Sequence, residues 1–106
     1  MSALKWVFKD PDEIEDFVLD WTARLQPSDA IAASTWIAPV GITVNSDSFT
    51  NNGSYWNGSA TVTGRYWTTI WLSGGTIGQT YEFVNRITTT GARVYDQTVK
   101  LKVKVR

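Results

Sequence analysis

The stretch Trp71-Leu72-Ser73-Gly74-Gly75-Thr76-Ile77-Gly78-Gln79-Thr80-Tyr81-Glu82-Phe83 decides the fold class. Two runs of aromatic and β-branched residues flank a connection with three glycines, the pattern of neighbouring strands joined by a turn. Outward from it, Tyr81 to Thr88 is a strong strand and Thr90-Gly91 a hairpin turn. The last strand runs from Val94 to Val105, with a break expected near Gln97. In it Val99, Leu101, Val103 and Val105 point one way and Lys100, Lys102 and Lys104 the other, as in a strand buried on one face only. The lysines also discourage unwanted edge pairing.

Towards the N terminus the same reading continues. Ile14 to Trp21 alternates with Phe17, Leu19 and Trp21 inward, and Leu25 to Asp29 is a turn. Ala30 to Trp36 is a second strand. Pro39 and Gly41 break the chain, Ile42 to Asn45 is a short third strand, and Ser46 to Gly53 is a polar loop. Asn57-Gly58, a preferred pair for tight hairpin turns, lies between Tyr55-Trp56 and a segment, Ala60 to Leu72, expected to turn at Gly64-Arg65. About seven strands at short intervals predict an all-β chain, a single immunoglobulin-like antiparallel β-sandwich. Residues 1–9 read as an N-terminal arm or short strand and 10–106 as the sandwich, with an aromatic hairpin inserted near 50–67. Trp21, Trp36, Leu72, Phe83 and Leu101 are the expected core.

The 106 residues fit one domain with a thin two-layer core. Six tryptophans exceed what so thin a core easily buries, so one or two are expected at a contact surface. Net charge is zero, which argues against general nucleic-acid or membrane-surface binding. The zero hides an asymmetry: residues 1–53 carry a net −5 and residues 54–106 a net +5. Either the acidic N-terminal segment lies beside the basic last strand, or copies pack head to tail in a ring. Met1 to Lys9 has no long apolar stretch, so no signal peptide is expected.

The chain has no Cys and no His, which excludes disulfides, thiolate or imidazole metal sites and a Ser-His-Asp triad. The lysines are expected at exposed positions, which removes a Ser-Lys pair. The acidic cluster Asp10, Asp12, Glu13, Glu15, Asp16 lacks the glycine of a calcium loop and reads as a solvated turn, or as a docking point for a basic partner surface. Gly74 to Gly78 lacks the Gly-Lys-Ser/Thr ending of a phosphate loop. No enzyme activity, cofactor or metal is expected.

Several segments taken in order resemble a known family. They are Asp20-Trp21, Ile31 to Trp36, Gly41 to Val44, Trp71 to Gly75, Gly78 to Tyr81 and Asn85 to Thr89, followed by Gly91 and Arg93. Trp-Leu-Ser-Gly-Gly joined to Asn-Arg-Ile-Thr-Thr is the most telling pair. The chain is similar, over residues 5–49 and 68–105, to the small phage tail proteins called fibre-to-tail adaptors. The resemblance implies a virion component, made in the host cytoplasm. It would be present in several copies, as a ring, and join the tail tube or hub to fibres or spikes. It implies no catalytic residues. Residues 50–67 lengthen a connection that is usually short in that family. Their rings either meet a neighbour or close one end of the sandwich. Trp6, Phe8, Asp10, Asp12, Glu13, Tyr55, Trp56, Tyr66 and Trp67 are the candidate interface residues. The competing reading is a carbohydrate-binding or adhesin-type module, which needs adjacent coplanar exposed rings among Tyr55, Trp56, Tyr66, Trp67 and Trp71.

Overall fold

The computed structural model describes residues 4–6 and 9–104. Phe8 and Val105 therefore lie outside the described residues. The strands are β1 (Leu4–Lys5), β2 (Glu15–Asp20), β3 (Ile31–Ile37), β4 (Ile42–Trp56), β5 (Thr61–Gly74), β6 (Thr80–Thr89) and β7 (Val94–Lys102), with one 3-10 turn at Thr22–Arg24. They form two sheets, ordered β1-β7-β6-β3 and β2-β5-β4. β1 runs parallel to β7, as does an isolated bridge between Lys9 and Val103, and the other strand pairings are antiparallel.

Lettered in chain order as A′ to G, the sheets are A′-G-F-C and B-E-D. This is the immunoglobulin arrangement with its first strand moved onto G. A second hallmark agrees. Tyr81, near the start of β6, accepts a hydrogen bond at its hydroxyl from the Thr76 amide, five residues upstream, at 2.8 Å. A tyrosine corner does this two residues before the second cysteine of antibody domains. That position here is Phe83, fully buried. Apolar packing stands where the disulfide would be.

The core has two lobes. Phe17, Ile42, Ile70, Leu72, Tyr81, Phe83, Leu101 and Val103 form one; Leu19, Trp21, Ile31, Ile87 and Val99 form the other. Trp6 and Trp36, both half-buried, pack against both lobes. Alternation in β2, β6 and β7 delivers these residues inward as the pattern predicts.

A buried polar network joins the sheets between the lobes. Asn85 on β6 is fully enclosed. Its Oδ1 accepts from the indole N–H of Trp21 at 2.9 Å and from the Thr68 hydroxyl at 2.6 Å. Its Nδ2 donates to the Ser34 hydroxyl and the Thr35 carbonyl, both at 3.0 Å. Two acceptances and two donations use the amide group well.

Three local expectations fail. Ser46 to Gly53 is not a loop, because β4 runs unbroken for 15 residues. It zips along β5 with irregularities at Val44/Ser46, Thr50/Gly53 and Gly53/Tyr55. Gly64-Arg65 is no turn but part of β5, with Arg65 opposite Gly53. β7 does not break at Gln97, which is buried and paired with Asn85. The Asn57-Gly58 turn forms as read: Gly58 has φ 99°, and Asn57 Oδ1 accepts from the Ser59 and Ala60 amides, each at 2.9 Å.

Lys9 departs from the expectation of exposed lysines. It is fully buried, and its ammonium donates to the carbonyls of Asp10 at 2.7 Å and Gly74 at 2.9 Å. Its own backbone is hydrogen-bonded to Lys102 and Lys104. The acidic segment thus begins beside the end of the basic last strand.

Candidate functional site

β2 covers β5 only from Leu72 to Trp67. Beyond that point, among the described residues, Thr61 to Arg65 pair with β4 alone, so the β4–β5 hairpin continues as a two-stranded ribbon. Such a ribbon is marginal alone, and three features brace it. The Asn57 cap closes its tip. Arg65 and Asp20 form an ion pair at 3.0 Å at its base. The Trp67 ring lies across Gly53, where an added Cβ would come within 2.4 Å of ring carbon. Only glycine lets that ring lie flat on the strand.

The hairpin aromatics separate by role. Tyr66 points inward and packs on the lobe containing Leu19 and Trp21. Trp67 points outward and meets Tyr55 edge-on, with ring centroids 6.4 Å apart and planes at 71°. Tyr55 is 45% exposed and Trp56 is 66% exposed. Adjacent in a strand, these two rings face opposite sides of the ribbon. The edge-on Tyr55–Trp67 pair is not the coplanar platform that sugar stacking requires.

On the outer face of the three-stranded sheet, Asp16, Val18, Asp20, Tyr55, Trp67 and Thr69 line a shallow groove of about 440 Å³. Trp71 stands beyond it, 41% exposed.

The other candidates lie elsewhere. Trp6 spans the open side of the sandwich: its ring stacks on Phe17 at 5.0 Å and tilts against Trp36 and Phe83 at 5.6 and 5.8 Å. Its indole N–H donates to the Val18 carbonyl at 3.1 Å. Most of this ring is spent on the core. Asp10, Asp12 and Glu13 form a tight turn, with Asp10 accepting the Asp12 amide on its side chain and the Glu13 amide on its carbonyl. Asp12 and Glu13 are exposed. Because Lys9 ties this turn to Gly74, the last residue of β5, and the ribbon tip is where β5 begins, the two lie at opposite ends of the molecule. Its long dimension is 42 Å. Among the described residues, no group of three or more His, Cys, Asp or Glu is placed to hold a metal ion.

A model of one protein family matches residues 9–102, nearly the whole chain; its description is podophage GP4 fiber-tail adaptor protein gp77. The chain belongs to this family. It is therefore a fibre-tail adaptor of the phage virion. No curated protein matches the sequence. The segments that carried the resemblance now have physical roles in the adaptor. Asn85 pins the sheets, and Arg86 grips Asp96 through two contacts of 2.8 and 3.0 Å. Gly75 leaves room for Val103, which an added Cβ would meet at 2.7 Å.

Sequence reasoning read Asp29 only as part of a turn. It is buried, and its carboxylate accepts from the Thr90 hydroxyl at 2.7 Å, the Gly91 amide at 2.8 Å and the Ala30 amide at 3.0 Å, with Arg93 at 3.4 Å. The Thr90 hydroxyl, then that of Thr89, then the Gly91 and Ala30 amides hold its pKa well below the ordinary aspartate range, against an upward push from burial. A depressed carboxyl pKa contributes stability above its unfolded value near 3.9, which is lost as pH falls through the folded value. Asp29→Asn is therefore expected to melt lower than wild type at pH 7, with the gap narrowing as pH drops below about 4. Thermal melts of both proteins from pH 7 to pH 2.5 check this; a constant gap would show that the charge is irrelevant.

Proposed function

We propose that this chain is a passive connector that joins the tail tube or hub to fibres or spikes by surface fit, without catalysis. The observation that supports the reading most is the placement of two unlike contact features at opposite ends of one stiff sandwich. The braced ribbon carries Tyr55 and Trp56 at one end, and the acidic turn Asp10–Glu13 stands at the other. A connector needs two such separated ends. Exposed Trp and Tyr are the residues that anchor protein interfaces, whereas exposed acids on a turn steer a basic partner. Several copies, made in the host cytoplasm, sit around the tail end as a ring, each offering the same pair of ends.

Tagged protein is incubated with disrupted phage tails, and the recovered proteins are identified by mass spectrometry. The expected result is co-recovery of a tube or hub protein and a fibre or spike protein. Recovery of neither, together with binding on a glycan array, would sink the connector reading.

A further inference from the structure

The two broad faces of the sandwich differ in chemistry. The outer face of β2-β5-β4 carries the groove floored by Trp67, Tyr55 and Val18 and rimmed by Asp16 and Asp20. Asp20 is engaged by Arg65, while Asp16 makes no ion pair among the described residues. On the opposite sheet, Lys100 and Lys102 project outward from β7 and, with Thr80 and Trp6, line a second shallow cleft of about 480 Å³. Neither lysine is ion-paired among the described residues. Glu82 sits across from Lys100 in the register, and the Arg86–Asp96 pair on the same sheet is internally neutral. Beyond β7 on this sheet lies β1, and Trp6 and Lys9 continue the hydrogen bonding along β7 to Lys100, Lys102 and Lys104, so the ridge is offered by its outward side chains and not by a bare strand edge.

We propose that the tryptophan-floored acidic groove receives the Lys100–Lys102 ridge of a second copy of this chain. The inference rests on the reading of the chain as a multi-copy adaptor, and it names the surfaces that join the copies. Three observations carry it. The groove and the ridge have opposite charge, as do the two halves of the chain. The groove offers a cation both a carboxylate at Asp16 and an aromatic ring at Trp67, a pairing that suits an ammonium. Successive outward residues on a strand stand about 6.6 Å apart, so Lys100 and Lys102 can enter one groove side by side. Because groove and ridge lie on different sheets, the contact is heterologous. Each copy that docks its ridge leaves its own groove open for another, and such contacts close into rings or run on as filaments.

The test uses two full-length variants with exposed substitutions. The first, Lys100→Gln with Lys102→Gln, loses the charge of the ridge and keeps the groove. The second, Asp16→Lys with Val18→Lys, loses the groove and keeps the ridge. Analytical ultracentrifugation is run over a wide concentration range at low and moderate salt, with circular dichroism to verify that each variant is folded. Wild type is expected to show concentration-dependent assembly that weakens with salt. Each variant alone is expected to stay monomeric, with self-association weakened by about tenfold or more. Their mixture retains one intact groove and one intact ridge, and is expected to reach the dimer and go no further. Wild type that stays monomeric throughout, a folded variant that assembles like wild type, or a mixture that stays monomeric would each overturn the proposal. The tail pull-down separates the two readings: recovery of tail and fibre proteins by a monomeric wild type removes this contact and leaves the connector, whereas assembly without any recovery removes the connector alone.

Discussion

Asn85→Leu is expected to destabilise the fold by about 3 kcal/mol or more. The substitution nearly conserves volume, so little of this comes from a cavity. The cost lies in the partners. The Trp21 indole N–H, the hydroxyls of Thr68 and Ser34 and the Thr35 carbonyl all lose a bond to Asn85 in one change. A buried donor or acceptor left unsatisfied costs about 1–3 kcal/mol, partly recovered as hydroxyls turn to other acceptors. A domain of this size has only roughly 5–15 kcal/mol of stability, so the loss is a large part of the whole. Urea unfolding followed by tryptophan fluorescence reads it directly. A variant within about 0.5 kcal/mol of wild type would mean that the network sets register but not stability.

Replacing Tyr55 and Trp56 together by serine is expected to leave the fold intact and abolish capture of one partner class. Both rings are substantially exposed. Tyr55 meets Trp67 edge-on, and neither Tyr55 nor Trp56 belongs to a core lobe. Truncating a central aromatic anchor in an interface costs about 2–4 kcal/mol, which is roughly 30- to 1,000-fold in affinity. The acidic turn stands at the far end of the molecule, so partners held there should still be recovered. The measurement compares tail proteins captured by wild type and by the double variant, after near-equal urea midpoints confirm folding. Loss of both partner classes, or of neither, would remove the ribbon tip from its assigned role.

The strands that bury one face were legible in advance. Phe17 and Leu19 on β2 alternate with Asp16, Val18 and Asp20, Tyr81 and Phe83 on β6 flank Glu82, and Val99 and Leu101 on β7 alternate with lysines. Alternation is a consequence of the pleat, which any one segment obeys alone. The Asn57-Gly58 turn was legible for the same local reason: its cap is made by residues two and three positions away. β4 was not legible. Its run Asn45-Ser46-Asp47-Ser48 contains no apolar residue because an edge strand can be held by backbone hydrogen bonds, which leave no mark on side-chain type. Gly64 suggested a turn, yet the ladder to β4 continues past it.

The aromatic residues divide the candidate site in the same way. That rings cluster around residues 55–67 is plain in the sequence, but which of them point outward is not. Tyr66 and Trp67 are neighbours, and the pleat sends one to the core and the other to the groove. Trp6, near the start of the chain, reads as an interface residue on an arm or short strand; only the approach of Phe17, Trp36 and Phe83 shows that most of its ring is spent on the core.

By itself, then, the sequence determined the all-β class, the buried face of three strands, the absence of any disulfide, and the segments by which the family is recognised. Tertiary structure decided the rest: the ribbon that outruns its sheet, the polar pin at Asn85, the burial of Lys9, and the acidic groove set opposite a lysine ridge. The physical reason is range. Periodicity and turn chemistry act over a few residues, whereas Asn85 meets Thr68 across 17 residues and Trp21 across 64, and Lys9 meets Gly74 across 65. Those pairs acquire their energy only after two sheets have closed on each other and excluded water.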